Sequence, residues 1–205
     1  IELRDEWTVA GTTYAAGSLL ATDAERFLAG ERDLTVLFAP TAKTSLAGAT
    51  WTRNHLVLNV FEDVKNRLHV LTPSPSGEWT RSEFPATDPV AAVGTRAVDA
   101  VESDEVWVVT SGYLTPTTYG LTEIGAETIE PLKSAPAWFD TAGLRAEQRF
   151  ATSADGTRIP YFIVGAEAAL AGNGRPVPTL LYGYGGFEIP MTPGYSAGVG
   201  RSWLS

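Results

Sequence analysis

Residues 47–58 (AGATWTRNHLVL) and 97–108 (AVDAVESDEVWV) carry one pattern at an offset of 50 positions. A polar corner, Arg53-Asn54 or Ser103-Asp104, precedes an apolar run, His55-Leu56-Val57-Leu58 or Glu105-Val106-Trp107-Val108. Within a residue or two of that register, Arg67-Leu68-His69-Val70 matches Thr118-Tyr119-Gly120-Leu121, and Gly77-Glu78-Trp79-Thr80 matches Gly125-Ala126-Glu127-Thr128. Each unit then holds about four strands in about 50 residues, the size of a propeller blade. An ordinary meander sandwich with coincidental spacing is the alternative.

The surrounding sequence is all-β in character as far as about residue 133. Strands are expected at Leu34–Phe38, His55–Phe61, Leu68–Thr72, Glu78–Phe84, Val106–Ser111, Thr118–Leu121 and Glu127–Glu130, where β-branched and aromatic residues concentrate. Gly, Pro, Ser, Asn and Asp punctuate them. With 44% apolar residues the chain has enough material for a packed core.

Charge and composition narrow the functional classes. Fifteen Lys and Arg stand against 24 Asp and Glu, a net charge of −9, so a nucleic-acid or anionic-membrane partner is not expected. The absence of cysteine removes disulfides, thiolate zinc sites and cysteine catalysis. His55 and His69 are the only histidines, fourteen residues apart and outside any H-E-x-x-H arrangement, so neither a metal nor another cofactor is expected. No apolar run approaches the roughly 20 residues of a membrane span. The chain opens on Ile1 in a polar stretch with no visible signal peptide, and a cytoplasmic setting is expected.

After Pro136 the pattern changes. Glu147–Ser153 and Arg158–Val164 are strand-like and meet at Ala154-Asp155-Gly156-Thr157, where an Asp-Gly pair able to take φ > 0 predicts a hairpin. A small-residue loop is expected over Gly165–Gly174, and Pro176-Val177-Pro178 then leads into Thr179-Leu180-Leu181-Tyr182. That run does not alternate, which suits a strand buried on both faces of an α/β sheet. A boundary is expected near residues 134–146, giving regions 1–137 and 138–205.

Tyr182-Gly183-Tyr184-Gly185-Gly186-Phe187 follows immediately. Three glycines in four positions allow φ > 0 and close approach to a ligand, while the rings supply apolar walls and a phenolic hydroxyl. A dinucleotide fingerprint would need glycine where Glu188 stands, followed by a helix, but Pro190 and Pro193 follow; a P-loop would need Gly-Lys-Ser/Thr. A tight turn with its rings packed in a core is the structural alternative.

The run from Phe150 to Pro193, with Ser153-Ala154-Asp155-Gly156-Thr157-Arg158-Ile159-Pro160, Pro178-Thr179-Leu180-Leu181-Tyr182-Gly183-Tyr184-Gly185-Gly186-Phe187 and Thr192-Pro193, resembles the start of the catalytic domain of prolyl oligopeptidases. Ser111-Gly112-Tyr113-Leu114-Thr115-Pro116 is similar to a segment of that family's propeller. The resemblance implies a mixed fold, with a partial β-propeller over 1–137 and the first strands of an incomplete α/β-hydrolase domain over 138–205. It implies a serine peptidase that cleaves short proline-containing peptides after proline. Tyr184 would be the oxyanion-hole residue, Phe187 a wall of the proline pocket, and Gly183, Gly185 and Gly186 would shape the loop. Seven blades would need roughly 350 residues, so both domains are expected to be incomplete, with the rest of the same chain as partner.

Gly194-Tyr195-Ser196-Ala197-Gly198 matches the G-x-S-x-G nucleophile elbow, but the two prolines before it cannot belong to the required strand, and no histidine follows. Ser196 is expected to cap a short helix running through Arg201 and Leu204. Glu62-Asp63 and Asp104-Glu105 read as solvated turns. The chain alone, without nucleophile, acid and base, is expected to be inactive. Two rival readings stand beside this one: a non-enzymatic β-rich module binding peptides or proteins, and a sister peptidase of different specificity.

Overall fold

A computed structural model describes the chain except residues 86, 173–175, 188 and 205. Strands β1 (Trp7–Val9) and β2 (Thr12–Tyr14) form a hairpin whose turn residues, Ala10 and Gly11, both have positive φ. Strands β3 (Leu19–Ala21) and β4 (Thr35–Phe38) pair antiparallel around the short helix α1 (Ala24–Leu28). Asp23 caps α1, its carboxylate accepting from the Arg26 N–H at 2.8 Å.

Two consecutive antiparallel meanders follow. The first contains β5 (Thr44–Trp51), β6 (Leu56–Glu62), β7 (Lys65–Pro73) and β8 (Trp79–Glu83), hydrogen-bonded in that order. The second contains β9 (Ala91–Ala97), β10 (Glu105–Gly112), β11 (Thr118–Glu123) and β12 (Glu130–Ser134), again in chain order. The 50-residue repeat is thus two sheets of the same connectivity, with β6 equivalent to β10. The expected strand at Glu127–Glu130 lies further on, at Glu130–Ser134. Ile129 instead packs on the core, the Thr128 carbonyl accepts from the Thr122 hydroxyl at 2.8 Å, and Gly120 leaves room for Ile129 where a methyl group would sit 2.7 Å away.

The core consists of two layers on either side of the first sheet. Val57, Leu68 and Val70 meet Val93, Val106 and Val108 of the second sheet, with Phe84. On the opposite face Leu56, Leu58, Val60 and Leu71 pack with Phe38 of β4. Strand β6 is therefore covered on both sides, which accounts for its nearly continuous apolar sequence. Asn59, the polar interruption, donates to the Val93 carbonyl at 2.8 Å and accepts from Asn66 at 2.7 Å, so it bonds across the sheets rather than lying unsatisfied.

The polar corners of the repeat meet each other. Asp104 Oδ1 accepts from the Thr52 hydroxyl at 2.7 Å and the Asn54 N–H at 2.8 Å, while Oδ2 accepts from the Asn54 amide at 2.6 Å. Asp104 is no solvated turn residue; it staples one sheet to the next. Burial alone would raise its carboxyl, but the hydrogen bonds from Thr52 and Asn54, with His55 nearby, hold it below the ordinary value. Its stabilising contribution is fully present above the unfolded carboxyl value of about 3.9 and is lost as pH falls through the lower folded value. Asp104→Ala is expected to cost about 2 kcal/mol in urea unfolding at pH 7, because three donors lose their acceptor. The loss should shrink as pH drops below about 4. An Asp104→Ala chain as stable as the parent at pH 7 would refute the staple.

Strands β13 (Leu144–Thr152) and β14 (Arg158–Ala166) form the expected hairpin, slightly longer than the sequence indicates. Its connection differs from the simple Asp-Gly turn: only Gly156 is left-handed there, at φ +88°. Asp155 instead accepts from the Ser153 hydroxyl and the Thr157 N–H, which holds its carboxyl down at about 2. The loop expected at 165–174 contains a helical turn, α2 (Glu167–Leu170); its end at 173–174 lies outside the described residues. Gln148 donates to the Asp63 carbonyl at 2.5 Å, and Phe162 lies 5.5 Å from Tyr113 between ring centroids, so the hairpin touches both sheets. Among the described residues, no helix is long and apolar enough to cross a membrane.

Candidate active-site loop

The segment leading into the glycine-rich turn departs from expectation. Thr179–Tyr182 pairs with no other strand among the described residues, and Leu180, Leu181 and Tyr182 are exposed, Leu181 at 94%. A non-alternating apolar strand needs partners on both edges and cover on both faces. The described residues supply neither, so the residue pattern is present without its sheet.

Within the turn, the three expected glycines play unequal parts. The Tyr184 ring folds back over Gly186, where a methyl group would lie 3.2 Å from the hydroxyl and 3.4 Å from Cζ. Gly183 and Gly185 face open space. None of the three is left-handed; the positive φ falls on Phe187, at 57°, a conformation uncommon for a bulky side chain. Phe187 is 90% exposed and Tyr184 49%, so among the described residues neither ring is enclosed. Glu188, which breaks the dinucleotide fingerprint, lies outside the described residues.

The serine elbow resolves as a cap. The Ser196 hydroxyl accepts from the Val199 N–H at 3.3 Å at the start of helix α3 (Ala197–Val199), which continues as a π-helical turn over Gly200–Leu204. Among the described residues, no strand leads directly into it. His55 Nδ1 bonds the Thr72 hydroxyl at 2.7 Å. His69 lies 3.6 Å from Glu83, and burial, with Arg81 nearby, lowers its pKa, disfavouring the charged ring. His55 also lies 4.0 Å from Asp104 and so faces the corner between the two meanders, whereas the His69–Glu83 contact is within the first. Among the described residues no group of three His, Asp or Glu side chains is arranged to hold a metal. An open cleft of about 600 Å³ lies between β4 and the first meander, lined in part by Phe38, Arg67, His69 and Arg81, and no described residue after Glu83 lines it.

Tyr195, beside Ser196, is the residue that sequence reasoning passed over. Its ring stacks on Phe139 with centroids 5.1 Å apart and planes 10° from parallel. Its hydroxyl accepts from the Trp138 N–H at 2.6 Å, and its own N–H donates to Ser111 Oγ at 3.1 Å. Ser111 and Tyr113 belong to the segment singled out in sequence, and both contact residues after the second sheet. The G-x-S-x-G spacing drew attention to the serine, whereas an aromatic between two glycines was the available signal.

No protein-family model matches the chain. An uncharacterised peptidase of Sinorhizobium fredii is 38% identical over 206 residues, covering 98% of this chain and 28% of the relative. A prolyl endopeptidase of Elizabethkingia miricola is 35% identical over 100 residues, 49% of this chain and 14% of the relative. Among solved structures, a post-proline cleaving enzyme from Rickettsia typhi superimposes with a TM-score of 0.75 at 26% identity, covering 98% of this chain and 29% of that one. The chain thus spans well under a third of these proteins. Agreement of named relatives and fold, over nearly the whole of its length, makes this chain a member of the prolyl oligopeptidase family.

Proposed function

We propose that the chain is the join between a β-propeller and the catalytic domain of a serine-type oligopeptidase that cleaves short peptides after proline. Residues 1–137 would form the final blades and residues 138–205 the opening of the α/β-hydrolase domain. The observation that carries this reading is the order of parts: two face-packed four-stranded meanders, then the β13–β14 hairpin, then Tyr182-Gly183-Tyr184-Gly185-Gly186-Phe187. The names of the relatives favour the same chemistry.

In that enzyme the Tyr184 hydroxyl, with a backbone N–H beside the nucleophile, would stabilise the oxyanion of the tetrahedral intermediate. Phe187 would face the substrate proline, an apolar rigid ring that suits an aromatic wall. Gly186 lets the Tyr184 ring lie close to the main chain. The exposed Leu180, Leu181 and Tyr182 would be covered by the remainder of the longer protein, which would also supply nucleophile, acid and base.

The purified 205-residue chain is therefore expected to give no turnover of a chromogenic Gly-Pro substrate, while a full-length protein carrying this sequence should turn it over. Turnover by the short chain that disappears in Ser196→Ala would overturn the assignment and restore the serine elbow.

A further inference from the structure

We propose that Tyr195 is a positioning residue, a clasp that pins the stretch following the glycine-rich turn to the second meander and so fixes where Tyr184 stands. This rests on the oxyanion reading of Tyr184. Tyr195 joins three places at once: the Trp138 N–H, the face of Phe139, and Ser111 at the end of β10. Ser111 Oγ is itself oriented by the Thr117 hydroxyl, which donates to it at 3.0 Å. Behind the clasp Gly200 lies so close to Phe139 that a methyl group would meet the ring at 2.0 Å, and Pro193 in front of it is buried.

The contrast with the turn itself is the reason to assign a role. Val177, Leu180–Tyr182 and Phe187 are exposed, so the turn gains little fixation from its own side chains. On its upstream side the chain is held at α2, where Arg149 donates to the Leu170 carbonyl at 3.0 Å. On its downstream side, among the described residues, the chain is next held at buried Pro193 and by the contacts of Tyr195. Among the described residues, these are the anchors on either side of the turn. A hydroxyl that acts in the transition state must be held to within about 0.5 Å, so slackening one anchor should cost turnover more than substrate binding.

The test has two arms. In the 205-residue chain, hydrogen exchange read at the Trp138 amide should accelerate at least about tenfold in both Tyr195→Phe, which deletes only the acceptor, and Tyr195→Ala, with added exchange across Ser111–Thr117 in the alanine variant alone. Unchanged exchange at Trp138 would overturn the clasp without reference to any activity. In the full-length peptidase, Tyr195→Phe should lower kcat about 3- to 10-fold and Tyr195→Ala about 10- to 100-fold, with KM within about twofold of the parent. An unmoved kcat in an active enzyme overturns the positioning role and leaves the peptidase reading intact. A full-length parent with no turnover at all overturns the peptidase reading and the role together.

Discussion

Tyr184→Phe in a full-length peptidase carrying this sequence is expected to lower kcat about 100- to 1,000-fold, with KM changed by less than about threefold. The substitution removes one oxygen and keeps the ring, so the close contact of that ring with Gly186 survives and the loop is not reshaped. On the proposed oxyanion role, the substitution would remove a donor aimed at charge that exists only in the transition state, worth about 3 to 4 kcal/mol in a water-excluded site. A contact made equally with substrate and transition state would show up in KM instead. Tyr184 is 49% exposed in this chain, so the dry surroundings that the prediction needs would have to come from other parts of the protein. Full activity of Tyr184→Phe would remove the hydroxyl from the chemistry and leave the turn as a structural element.

The readable parts of this fold were those in which local chemistry and tertiary packing agree. Strand β6 is apolar on both faces and the repeat at an offset of 50 gave its counterpart β10; both were expected within a residue or two of where they lie. Strands β5 (TSLAGATW) and β9 (AAVGTRA) were not anticipated, because small residues carry little strand preference. They are strands because each pairs along one edge with a strongly apolar neighbour, β6 and β10 respectively. Asp104 shows the same gap at a single residue. A carboxylate in a polar corner looks solvated in sequence, and only the packing of one meander on the next brings Thr52 and Asn54 to it. At the site, the glycine-rich turn was legible as a motif, but its strand at Thr179–Tyr182 was not realised. Propensity can specify an extended apolar run, whereas a sheet interior also needs neighbours.

Leu58→Ala is expected to destabilise the chain by about 3 to 5 kcal/mol, a large share of the roughly 5 to 15 kcal/mol that holds an ordinary domain together. Leu58 is 0% exposed and packs with Leu56, Val60, Leu71 and Phe38. The cost should fall at the high end of the range because β6 cannot shift to fill the void: Val57, its neighbour on the opposite face, is locked against Val106 and Val108. Relaxing one layer would open the other. Val109→Ala on β10, at a side chain 41% exposed, should cost about 0.5 kcal/mol or less and so serves as the comparison. Urea unfolding of both variants measures the difference. If Leu58→Ala costs no more than Val109→Ala, the β3–β4 pair is not packed on the first meander in solution, and the two-layer core must be abandoned in favour of the single interface between the meanders.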